Sequence, residues 1–298
     1  MFQFFRKLTT FLTVFLVSVN MVVAQNSDKS VKPFSGSSPF RKFSIGINAG
    51  LLKSSVIAGG SNDYSKNILN FGYGLNAKYQ LTHSIAIQAN AIAGKLSGNQ
   101  DKVDGNDSLN LSKPIVAFKT DLHVAASINA IYTFGNINWL RIKNLLVPYV
   151  GVGAGLANYN VQIKKKGETT YSEYPYGQKN NITEFFLPVS MGVKVKLSKV
   201  INLDIGYIMN FTDGDNLDGF ANWHVPVGYS STTKKDKFSY THIGIEYSFG
   251  KKSKGELMYD NPAARLNNSI QTQINNLSNK VDSLAAKQKN MDDFDGDS

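Results

Sequence analysis

The chain has 298 residues, 42% of them hydrophobic and 18% charged, a formal net charge of +10 and no cysteine. The missing cysteines exclude a disulfide framework, a thiolate nucleophile, a lipid-attachment cysteine and a Cys-based zinc site, and beyond the N-terminus no run approaches the roughly 18 apolar residues of a membrane helix. The lysines are scattered among strands and loops rather than gathered, so the positive charge reads as suited to an anionic membrane surface and not to nucleic acid.

At the N-terminus, Arg6 and Lys7 precede the apolar run "FLTVFLVSVNMVV" from Phe11 to Val23, and the small Ala24 stands before Gln25. A basic start, a short apolar middle and a small-residue exit are the marks of an export signal. The run is short and carries Thr13, Ser18 and Asn20, which argues against a retained anchor. Residues 1–24 are expected to be a signal peptide and 25–41 a flexible Ser/Pro/Lys segment.

From Phe43 onward, period-two alternation recurs eight times, over 43–52, 68–81, 85–96, 115–134, 145–160, 184–198, 201–211 and 238–250. In the sixth segment Phe185, Leu187, Val189, Met191, Val193 and Val195 share a face. In the eighth, Ile243, Ile245, Tyr247 and Phe249 oppose His242, Gly244, Glu246 and Ser248. A soluble sandwich and a membrane barrel both alternate, and both keep charge off the apolar face, where Lys95 is the one exception.

Glycine separates the two. Gly46, Gly50, Gly72, Gly74, Gly94, Gly151, Gly153, Gly155, Gly192, Gly206 and Gly244 all fall on the polar face. Glycine weakens a strand, and a water-facing surface has no use for so many, whereas the filled lumen of a narrow barrel needs small side chains. The polar face is therefore the crowded inside and the apolar face meets lipid. The fold expected over 42–250 is an all-β, eight-stranded antiparallel up-and-down transmembrane β-barrel with a short C-terminal helical tail.

Connector lengths carry the orientation. The links at 81–84 and 198–200 are tight, and those at 53–67, 97–114, 161–183 and 212–237 are long, the pattern of periplasmic turns and extracellular loops. The 135–144 link is an overlong turn that places Trp139 in the interface, and an even strand number brings both termini to the periplasm. Phe43, Tyr79, Tyr132, Phe134, Phe211, Tyr247 and Phe249 are expected as interfacial aromatics.

Lys78, Lys119, Lys194 and Lys196 are expected inside with Asp121, Glu184, Asp204 and Glu246, four charges against four, because buried charge is costly unless paired. The same face raises an enzymatic alternative. Asp121 with His123, or His242 with Glu246, supplies a carboxylate beside an imidazole, and Ser127 and Ser190 are candidate nucleophiles. These residues lie deep in a filled lumen, so no catalytic, cofactor-binding or metal-binding residue is assigned and no cofactor is expected. Lys164, Lys165 and Lys166 open a long loop and could meet lipopolysaccharide.

After the barrel, residues 251–298 read as a periplasmic linker. Ile270, Leu277, Leu284 and Met291 recur every seven residues with Ile274 and Val281 between them, a heptad seam interrupted at Gln288. The end, "DDFDGDS", sets Asp293, Asp295 and Asp297 at alternate positions, which can begin a calcium loop but here lacks the distal ligand.

His242, Gly244, Tyr247 and Phe249 match the pattern of the C-terminal β-signal of outer-membrane barrels. Together with the signal, eight strands, spacer and acidic end, the layout resembles the N-terminal part of OmpA-family proteins. That resemblance implies a barrel that anchors the protein in the outer membrane, and peptidoglycan binding by a separate domain that this sequence does not contain. The leading expectation is an envelope anchor or assembly subunit, with outer-membrane lipid, lipopolysaccharide and envelope proteins as partners. A small pore or surface-binding barrel comes second, and a lipid-modifying hydrolase third.

Overall fold

The computed structural model describes residues 39–58, 60–62, 64, 66–100, 115–134, 144–174, 181–219 and 235–295, with side chains of the final helix described through Gln288. The export-signal segment, most of 25–41, Trp139 and Asp297 lie outside the described residues, as do the side chains of Met291, Asp293 and Asp295.

Eight long strands form the body: β1 (Phe43–Lys53), β2 (Asn70–Gln80), β3 (Ile85–Asn99), β4 (Ile115–Thr133), β5 (Leu146–Lys165), β6 (Ile182–Lys196), β7 (Ile201–Thr212) and β8 (Lys237–Phe249). Each pairs antiparallel with its chain neighbours, and β8 returns to β1 with Phe249 opposite Phe43 and Ser239 opposite Lys53. Closure leaves the eight without a free edge. Short strands at Lys66–Ile68 and Ser172–Tyr174 extend the wall beside β3 and β5.

The two tight turns share one device. Thr82 Oγ1 accepts from the amides of Ser84 and Ile85, and Ser198 Oγ accepts from those of Val200 and Ile201. A hydroxyl thus satisfies the amides that a turn would leave unpaired. These turns, the residues just before β1 and those just after β8 lie at one end of the cylinder, the turn end. The long connections define the loop end.

Burial runs in the sense the glycines indicate. Ile47, Phe71, Leu75, Ile128, Val152 and Leu156 are 57–67% exposed, while Lys194 and Glu246 are wholly buried. A Cβ on Gly46 would come within 2.7 Å of Asn76 Oδ1 and 2.9 Å of Glu246 Cγ. The polar face is the crowded one.

One strand departs from strict alternation. The pairing of β4 with β5 slips between Leu122 and Val124, and that of β3 with β4 slips between Ile92 and Gly94. An extra residue in a strand inverts the facing of everything beyond it. Below the bulge Ala125, Ser127, Asn129 and Ile131 point inward, and above it Leu122, Thr120 and Phe118 do.

Past β8 the chain is no simple spacer. A 3₁₀ turn, Leu257–Tyr259, folds across the turn-end mouth with all three residues buried. Arg41 and Glu256 form a parallel bridge, with the Arg41 amide donating to Gly255 O at 2.8 Å. Met258 and Tyr259 pack on Val147. Helix α1 (Pro262–Asp295) follows, 34 residues long, and Asn261 Oδ1 caps it by accepting from the Ala264 amide at 3.2 Å.

Candidate functional site: a sealed lumen

The inside of the cylinder is layered. Nearest the turn end, Lys78 Nζ donates to Glu246 Oε2 at 2.8 Å and contacts Met258 Sδ at 3.3 Å. Lys194 Nζ reaches Glu246 Oε1 at 2.5 Å and Asp204 Oδ2 at 2.9 Å, and Tyr149 Oη donates to Asp204 Oδ1 at 3.0 Å. Two ammonium groups and two carboxylates, all nearly or wholly buried, thus neutralise one another. Buried charge is tolerated only when paired and hydrogen-bonded in this way.

Above the charges lies a layer of amides and hydroxyls. Asn129 Nδ2 donates to Ser127 Oγ at 3.0 Å and Gln88 Nε2 to Asn90 Oδ1 at 2.8 Å. Toward the loop end the lumen turns apolar. Leu52, Leu96, Phe118, Tyr159, Phe186 and Phe238 are buried in one cluster. The loops finish the seal: Tyr64 Oη donates to Asp218 O at 3.1 Å and Thr120 Oγ1 to Leu217 O at 2.5 Å.

The charged residues expected inside divide into three groups. Lys78, Lys194, Asp204 and Glu246 meet as one network. Lys196 and Glu184 lie at opposite ends, Lys196 with its Nζ 5.3 Å from the Tyr259 ring centre and Glu184 accepting from Asn216 at 2.7 Å. Lys119 and Asp121 are corrections, since both stand outside. Asp121 pairs with Lys95 at 3.4 Å in solvent, and Lys119 lies 4.1 Å from the centre of the Tyr171 ring. The bulge after Leu122 is the physical reason, and it turns His123 outward as well.

The catalytic alternative changes accordingly. Asp121 and His123 do not share the lumen with Ser127, whose hydroxyl accepts from Asn129. His242 faces Asp204 at 3.7 Å and stacks on Tyr240, while Glu246 is held by the two lysines. Ser190 Oγ is buried without a hydrogen-bond partner among the described residues. At the start of the long loop, Lys165 and Lys166 are exposed and Lys164 is half-buried.

Sequence reading missed the turn-end plug and Tyr149. Burial raises the Tyr259 hydroxyl well above the usual phenol range, with Glu256 adding to it, so this ring is neutral. Arg41 is pulled down by burial against the opposing effect of Glu256. The one available signal was the apolar triplet Leu257-Met258-Tyr259 inside a polar stretch, which has no period and so suggested no element.

A closed eight-stranded cylinder with lipid-facing apolar residues and a packed ionic interior is an outer-membrane barrel. The chain belongs to the family described as the outer membrane protein beta-barrel domain, whose model matches residues 11–230. Similar solved structures include Neisserial surface protein A, 18% identical with a TM-score of 0.36 over 70% of this chain and 97% of that one. The attachment invasion locus protein Ail of Yersinia pestis is 13% identical, with a TM-score of 0.37 over 70% and 99% of the two chains. The N-terminal β-barrel domain of Pseudomonas aeruginosa OprF is 14% identical, with a TM-score of 0.34 over 69% and 97%. No curated protein matches the chain.

Proposed function

We propose that this chain is an outer-membrane anchor and a subunit of an envelope assembly, with its turn end and both termini in the periplasm. The observation that carries this reading is the sealed lumen joined to a bare helix. A barrel packed from end to end serves as a fixture rather than a passage. What leaves it is a helix about 50 Å long whose Ile270, Ile274, Leu277, Val281 and Leu284 are 47–64% exposed.

Ile274 and Val281 occupy a positions of a heptad, and Ile270, Leu277 and Leu284 occupy d. β-Branched residues at a with leucine at d favour two parallel strands, and copies inserted the same way in one membrane present their helices in parallel. In that pairing Lys280 at g meets the neutral Ala285 at e of the partner helix, so no like charges clash. The likeness of layout to OmpA-family proteins supports the same role.

Because the chain lacks cysteine, single cysteines test both parts of the reading. Lys166→Cys should react with a membrane-impermeant maleimide on intact cells and Ser253→Cys should not; labelling at 253 refutes the orientation. Leu277→Cys should give a disulfide-linked dimer on mild oxidation in membranes, and a purely monomeric product refutes the assembly.

A surface-binding barrel is the second reading, favoured by strand length. β4 and β5 have 19 and 20 residues against 11 in β1 and β2. The outward Lys95–Asp121 pair marks the wall there as standing clear of hydrocarbon.

A further inference from the structure

Where β8 closes onto β1, an open groove of about 600 Å³ lies along the turn-end rim. Its wall toward the membrane is aromatic. Phe43 stands between Tyr79 and Phe249 in register, and the three are 41–47% exposed. The Phe43 and Phe249 rings lie 5.6 Å apart.

The outer wall is basic, formed by Lys42, Lys251 and Lys254 with Arg41 behind them, and among the described residues no carboxylate lines the groove. Arg41 is 4% exposed, and its main chain is fixed by bonds to Gly255 and Leu257. Its Nη2 donates to Lys199 O and lies 3.8 Å from Glu256, while Nε and Nη1 have no hydrogen-bond partner among the described residues. Gly250 also lines the groove at φ +126°, where a Cβ would meet Arg41 Cγ at 2.9 Å. The backbone can pass this close to the arginine stem only as glycine.

Read outward along β1 and β8, the surface changes from aliphatic at Ile47, Ile45 and Ile243, to aromatic at Phe43, Tyr247 and Phe249, to cationic at Lys42 and Lys251. That is the order of acyl chain, glycerol level and phosphate in a phospholipid. We propose that this groove binds the headgroup phosphate of one anionic phospholipid, of the phosphatidylglycerol or cardiolipin kind. An ethanolamine headgroup adds an ammonium that meets lysines and no carboxylate, so the zwitterionic lipid is disfavoured. Choosing a phospholipid over lipopolysaccharide rests on the orientation proposed above.

The test is native mass spectrometry of the protein released from detergent after incubation with equal amounts of phosphatidylglycerol and phosphatidylethanolamine. The anionic adduct should exceed the zwitterionic one by roughly tenfold, a difference of about 1.4 kcal/mol. The Lys42→Gln/Lys251→Gln/Lys254→Gln variant should lose that preference, while Lys66→Gln/Lys95→Gln/Lys119→Gln at the opposite rim keeps it. Heat-modifiable gel mobility confirms that both variants are folded. Equal adducts in the wild-type protein, or equal loss in the opposite-rim variant, would overturn the proposal. So would displacement of the lipid by millimolar inorganic phosphate, which would make the groove a free-phosphate site. Anionic preference together with maleimide labelling at 253 from outside would uphold the anionic groove but refute the orientation, and with it the choice of a phospholipid over lipopolysaccharide.

Discussion

Glu246 is the residue on which the lumen turns. It is wholly buried and accepts from both Lys78 and Lys194. Removing one member of a buried ionic set strands the others, so Glu246→Ala should cost about 3–5 kcal/mol. Replacing all four by apolar residues of like volume should cost far less, and urea titration in lipid vesicles measures both. Space is as tight as charge. A Cβ on Gly206 would stand 2.6 Å from His242 Cε1, so Gly206→Leu should destabilise by about 1–3 kcal/mol or more, read as a lower yield of heat-modifiable barrel.

Outside the membrane, burial holds the Asp236 carboxyl well above its usual range, with Asp218 and Asp215 adding to the shift. Two amides, Leu217 and Asp218, donate to Asp236 Oδ2 and oppose the shift without overcoming it. A carboxyl raised by folding contributes stability that is full below the ordinary carboxylate value and is lost as pH rises through the raised one. Hydrogen-exchange protection at Leu217 and Asp218, corrected for intrinsic rates, should therefore fall as pH rises through that window. In Asp236→Asn the dependence should vanish.

At the scale of the element, seven strands were legible because one face is greasy, with Lys95 of β3 the exception, and β4 was legible only below the bulge between Leu122 and Val124. Above it the sequence still alternates, "KTDLHV", but with polar residues on the outer wall, and only the bulge reveals the switch. Alternation says which residues share a face and is silent about which face that is once a residue has been inserted. Two deletions should make the point. Without His123 alone, Leu122 joins Val124 in regular pairing and the facing of Phe118, Thr120 and Leu122 is kept, so folding yield by gel mobility should stay near wild type. Without both His123 and Val124, Lys119 and Asp121 would be driven inward in place of Phe118 and Leu122, and folding yield should drop several-fold. The plug at Leu257–Tyr259 was illegible for a different reason: three residues cannot display a period, and their burial depends on a mouth built by strands far away in the chain.

At the scale of the whole molecule, the cylinder is closed by pairing, and among the described residues it is filled by its own side chains and covered at both ends. Purified protein in a planar bilayer should show no conductance steps, and a wild-type channel would revive the pore reading. The sequence by itself determined the number of strands, the outward turn of the apolar face and the crowding of the glycine face, because these follow from local periodicity and side-chain size. Only the tertiary structure decided which charges meet, which wall Asp121 and His123 occupy, and that the supposed linker is a plug with a basic, aromatic groove beside it. Those outcomes depend on register and on distances between residues more than 150 positions apart, such as Lys78 and Glu246, and no local pattern encodes them.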